Sequence, residues 1–118
     1  MKLLNIITDY PNQNIVVVLD DGTKVSVTLR YSANQKGWFY TVIYGEFISY
    51  NRRLIVNPNM LRQFREIIPF GLACNSSDGY EPIMVDDFVT KRVRLYLLTA
   101  SDVSDVESAI STAKGTYA

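Results

Sequence analysis

Adjacent acids stand at Asp20-Asp21 and at Asp86-Asp87, the second pair close to Asp78 and Glu81. Carboxylates brought together are the minimum for acid–base hydrolysis or for a calcium site. Neighbouring residues of an extended strand point to opposite faces, so neither pair acts jointly on one substrate from such a segment. Asp20-Asp21 precedes Gly22 and reads as a turn, which aspartate favours. The acids between 78 and 87 lack the ligand order and the glycine of an EF-hand loop, so no metal site is assigned to them. Cys74 follows Leu72 and Ala73 with no cationic neighbour, and reads as a small buried hydrophobe rather than a nucleophile. The chain holds no histidine and one cysteine, which excludes Ser-His-Asp and Cys-His catalysis, multi-ligand zinc sites and an internal disulfide. Carboxylates, Lys, Tyr and Ser remain for any chemistry, and composition and motif alone assign no function.

A second constellation is basic and aromatic. Arg52-Arg53, Arg62, Arg65 and the group Lys91, Arg92, Arg94 could form a cationic face, with Trp38, Tyr40, Tyr44 and Tyr50 as stacking platforms. That combination defines the alternative function, a small β-barrel that binds single-stranded nucleic acid. Against it, twelve Lys and Arg balance twelve Asp and Glu, so the chain has no bulk field for a nucleic acid or an anionic membrane. Gly-rich phosphate loops and RNP-like motifs are missing. Trp38, the tyrosines and Asp86-Asp87 also admit a carboxylate hydrolase or sugar-binding module, but aromatics at alternate strand positions are mostly core.

The elements that would position these residues are strands. Leu3 to Ile7 reads as a first short strand, ended by Asp9, Pro11 and Asn12. Ile15 to Leu19 and Lys24 to Tyr31 flank Asp20-Asp21-Gly22-Thr23; in the second, Val25, Val27, Leu29 and Tyr31 alternate with polar residues, as in a hairpin with one wet face. Trp38 to Tyr44 and Phe47 to Tyr50 flank Gly45-Glu46 and are rich in aromatic and β-branched residues, giving another hairpin. Arg52 to Val56 reads as a separate short strand closed by Pro58, and Met60 to Ile67 has the apolar spacing of one or two helical turns or of a bulged strand. Leu72 to Asn75 is a short strand and 76–90 a long connection. Lys91 to Leu98 alternates again, and Leu98 on its second face suggests that both faces are covered. Ser104-x-x-Glu107 is a capping box for a helix through about Thr112, with the last residues loose.

The fold class is therefore all-β, a small sandwich or partly open β-barrel of about six to eight short antiparallel strands. A short helix near 60–67 and a short C-terminal helix complete it. Residues 1–100 form the β domain and 101–118 a C-terminal extension: the first part holds eleven basic and nine acidic residues, the second one and three. Lys2 precedes only a short apolar stretch broken by Asn5 and Asp9, so no secretory signal is expected and the start of the chain should join the fold. No apolar run approaches the roughly 20 residues of a spanning helix.

The order of these signals resembles the baseplate plug (baseplate structural protein) family of contractile-tailed bacteriophages. Its carriers are Pro11-Asn12-Gln13-Asn14 before a strand, the Val25 to Tyr31 strand, Gly37-Trp38 and Arg53-Leu54-Ile55-Val56-Asn57-Pro58-Asn59-Met60-Leu61. Gly71-Leu72, Asp78-Gly79-Tyr80-Glu81-Pro82 and Lys91 to Leu97 follow, so the likeness covers about residues 5 to 98. Gly45-Glu46 is tighter than the family's turn, and 99–118 extends past its usual end. The resemblance implies a structural virion component of the tail baseplate, made in the host cytoplasm and packing near the central hub or spike. Its implied partners are other baseplate proteins (hub, spike or wedge) and copies of itself, with no membrane and no nucleic acid. It carries over no catalytic or ligand-binding residue, so no catalytic, cofactor-binding or metal-ligating residue is assigned, no cofactor is expected, and the chain is not expected to be an enzyme.

Overall fold

The computed structural model describes the backbone of residues 1–116 and the side chains of residues 1–111. The expected loose end of the tail lies partly outside the described residues. Seven strands form two antiparallel sheets. The larger is a meander of β2 (Asn12–Val18), β3 (Lys24–Ser32), β4 (Gly37–Tyr44) and β5 (Phe47–Arg53) in that order. The smaller has β7 (Val93–Leu98) between β1 (Lys2–Leu3) and β6 (Gly71–Ser76). The architecture is sandwich-like all-β with no closed barrel.

Period-two alternation decides which side chains face inward. Ile15, Val27, Val42 and Ser49 lie in one cross-strand row, and Leu29 opposes Tyr40. They share one buried cluster with Leu72, Cys74, Val93, Leu95 and Leu97 of the smaller sheet, apart from Ser49. Trp38, Leu54, Leu61 and Phe70 are also sealed within the interior. Burial of each such large side chain contributes about 1.5–3 kcal/mol, which makes this shared interior the main cohesive feature.

The tight turns are built as their residues demand. Gly22 (φ 88°) follows Asp21, whose carboxylate accepts the Thr23 N–H at 3.0 Å and also the Thr23 hydroxyl. Gly45 (φ 57°) takes the first central position of the Tyr44–Phe47 hairpin, where glycine meets the left-handed requirement without steric cost.

Three expectations about elements need correction. The first strand is two residues rather than Leu3 to Ile7, although Leu4 and Ile7 are buried and Leu4 N donates to Leu95 O at 2.8 Å. The start of the chain does join the fold. Arg52 to Val56 is not a separate strand: β5 runs on to Arg53 through an irregularity opposite Tyr40–Val42, and Leu54 N bonds Trp38 O at 2.8 Å. The extra residue is absorbed at Asn51 (φ 51°), whose N–H donates to Thr41 Oγ1. The C-terminal helix α1 (Ala100–Thr116) starts before Ser104. Its box is Thr99 with Asp102, where Asp102 N donates to Thr99 Oγ1 and Thr99 N to Asp102 Oδ2, at 3.2 and 3.0 Å.

The segment near 60–67 contains a single 3-10 turn, Arg62–Phe64. Both faces of β7 are covered, as Leu98 suggested. Ala73, Leu98 and Val103 form a second small cluster with Tyr96 and Val106, where α1 packs on the outer side of β6 and β7.

Candidate docking surfaces

The acids singled out in the sequence do not converge. Asp87 is buried and spends its oxygens locally: Ile83 N and Met84 N donate to Oδ2, and Arg92 bonds both oxygens at 2.8 Å. Arg92 also reaches Asp78 at 2.9 Å and the carbonyls of Tyr80 and Glu81. The Glu81 carboxylate accepts from Val56 N, while Asp86 is exposed. Among the described residues no three Cys, Asp or Glu side chains gather as a metal site. The Tyr80 N–H, and after it Arg92, holds the Asp78 carboxyl below its ordinary range.

This network straps the long connection after β6 across one end of the larger sheet. Tyr31 Oη donates to Ile83 O at 2.7 Å, and Trp38 Nε1 donates to Met84 O at 3.0 Å. The Trp38 ring stands edge-on to Tyr31 and Phe88. The strap was not legible in the sequence; its signal is the Asp87-x₄-Arg92 pair, which spacing alone does not distinguish from two surface charges.

The aromatic platforms separate as well. Trp38 and Tyr40 are core residues, Tyr44 stacks edge-on against Phe70, and Tyr50 is 77% exposed. Desolvation pushes the Tyr40 hydroxyl pKa up, partly opposed by the charge of Arg52. With the proposed stacking row dismantled, nothing supports the nucleic-acid alternative. Cys74 is buried, and desolvation with the nearby Glu81 charge pushes its thiol up to about 12, so it has no thiolate character at neutral pH.

The basic residues divide into groups with different uses. Arg92 belongs to the strap, and Arg94 is exposed on β7. Arg52, Arg53, Arg62 and Arg65 line one open hollow of about 680 Å³ together with Tyr40 and Asn59. Two apolar surfaces lie elsewhere. Val16, Ser26, Ile43 and Ile48 form a row on the outward face of the larger sheet, where the three apolar members are 55%, 40% and 59% exposed. A hollow beside α1 is lined by Val56, Pro58, Ala73, Tyr96, Leu98 and Val106 among others. Sequence alternation marked Lys24 to Tyr31 as having a wet face, but its neighbours place valine and isoleucine on that same face. No described helix is long and apolar enough to cross a membrane.

The polar clusters inside the fold are consumed in holding it together, and apolar rows and an arginine-lined hollow are left on its outside. No curated protein matches the chain. The family model described as cyanophage baseplate Pam3 plug gp18 matches residues 1–100, which contain both sheets and the whole strap. By that match the chain belongs to this family of phage baseplate plug proteins.

Proposed function

We infer that this chain is a structural plug subunit of a tail baseplate, made in the host cytoplasm and carried in the virion, where it packs near the central hub or spike. The carrying observation is the family match across the entire two-sheet body. Its partners are hub, spike or wedge proteins and copies of itself, and it performs no catalysis. The polar geometry agrees with this role: Asp87, Arg92 and Asp78 are engaged with one another and with the backbone rather than around an open cleft. Rigid sheets with apolar outward rows are suited to mating with other proteins. Residues 1–100 act as the domain, and 101–118 as an extension added to it.

Co-expression of the full chain with the hub, spike and wedge proteins of the same phage, followed by size-exclusion chromatography and cross-linking mass spectrometry, tests this reading. Co-elution with cross-links to at least one of them is expected. A lone monomer in every combination would overturn it.

A further inference from the structure

We propose that the hollow bounded by Arg52, Arg53, Arg62 and Arg65 is a docking site for a carboxylate-rich segment of a neighbouring baseplate protein. The proposal rests on the plug reading and names the chemistry of one contact within it. Arg52 at the end of β5, and Arg62 and Arg65 in and just after the 3-10 turn, bring guanidinium groups to the hollow; Arg53 also borders it, but its guanidinium lies with Phe39, on the sheet face opposite that of Arg52 and Tyr40. The carboxylate paired with them is Glu107 of α1, bonded by Arg62 at 2.7 and 3.2 Å and lying 3.5 Å from Arg65 Nε. Arg52 and Arg53 have no ion pair among the described residues, so positive charge remains in excess in a chain whose total is balanced.

Arg53 and Arg65 are tied to backbone carbonyls before any partner arrives. Arg53 donates to the carbonyls of Gln35 and Lys36 at 2.9–3.2 Å, and its guanidinium lies 5.7 Å from the Phe39 ring centre. Arg52 lies 5.6 Å from the Phe64 ring centre and its side chain makes no hydrogen bond among the described residues, leaving its donor fork unspent. Arg65 Nη1 is tied to Arg62 O at 3.0 Å. A guanidinium already ordered loses less freedom when it binds, and its planar fork matches a carboxylate in two-point geometry.

An acidic protein segment fits better than a nucleic acid. The hollow's tyrosine, Tyr40, is 2% exposed, and the Phe64 ring is engaged by Arg52 and by Phe47 at its edge. No open aromatic face is left there for a base to stack on.

Fluorescence anisotropy with fluorescein-labelled hexaglutamate and the full chain tests the proposal at about 50 and about 300 mM salt. Saturable binding at low salt is expected, weakened about tenfold by the double variant R52E/R65E. K24E/R94E makes the same change in net charge away from the hollow, and should leave affinity within about twofold of the unaltered chain. Should R52E/R65E fail to fold, R52Q/R65Q is read instead, with a smaller loss in the same direction. Absence of saturable binding, equal losses in the two charge-reversal pairs, or tighter binding of an oligothymidylate would each overturn the proposal. Co-expression with baseplate proteins separates the two levels. If the unaltered chain and R52E/R65E co-elute with them equally, the hollow is not the dock and the plug reading stands. If the unaltered chain co-elutes with none, the plug reading itself fails.

Discussion

A carboxylate as buried as that of Asp87, 2% exposed, is tolerated only where donors replace its water. Four do so here: the Ile83 and Met84 amides and two nitrogens of Arg92. Removing the carboxylate strands both amides and leaves Arg92 with the more exposed Asp78 and two carbonyls. Asp87→Ala is therefore expected to lower unfolding free energy by about 3 kcal/mol, in the range for breaking a buried pair from one side. The loss should be visible locally as well. Trp38 is the chain's one tryptophan and donates to Met84 O, within the strap that Asp87 anchors. Urea titration followed by tryptophan fluorescence should give both the lower midpoint and a red-shifted native emission. An unshifted midpoint would mean that the strap does not depend on Asp87.

At the level of elements, legibility followed how local the cause was. Lys24 to Ser32 and Gly37 to Tyr44 could be read because alternation, turn chemistry and burial all act within a few residues. The joining of Arg52-Arg53 to β5 could not, because it needs Asn51 in a left-handed conformation bonded to Thr41 on another strand. Helix α1 shows the same division. Thr99-x-x-Asp102 and Ser104-x-x-Glu107 carry similar patterns, and sequence alone does not rank them. The fold decides, because β7 ends at Leu98 and Glu107 is taken by Arg62, 45 residues away in sequence. The arginine hollow was half visible: its residues stood out as a basic group, but their separation from Arg92 and Arg94 is a tertiary fact. Thr99→Ala is expected to cost about 1 kcal/mol through loss of the cap, lowering the melting temperature by about 4 °C. Ser104→Ala, at an exposed interior position of the helix, should leave it within about 1 °C. Thermal melts by circular dichroism check the pair, and a reversed order would return the helix start to Ser104.

Across the whole molecule, charge is balanced and the acids with displaced titration are dispersed. Asp21 is held below its ordinary range by the Thr23 hydroxyl and amide in the β2–β3 turn. Asp78 is lowered by the Tyr80 amide and Arg92 after β6. Asp102 is lowered first by the Met1 ammonium, 2.6 Å away, and then by the Thr99 amide at the start of α1. Each of these carboxyls binds its proton less readily folded than unfolded. Their stabilising contribution is thus complete above the unfolded pKa of about 3.9 and fades as pH falls through the lower folded values. A chain without histidine has no side chain of ordinary pKa changing charge between pH 5 and 8. The expected profile is a nearly level urea midpoint from pH 8 to about pH 5, then a decline that steepens below about pH 4. Three acids at a turn, a strap and a helix start should contribute separately, so Asp21→Asn should flatten part of the decline without abolishing it. A midpoint that rises between pH 5 and pH 3 would have the wrong sign for every one of these contacts, and would place the acid-sensitive charges elsewhere in the molecule.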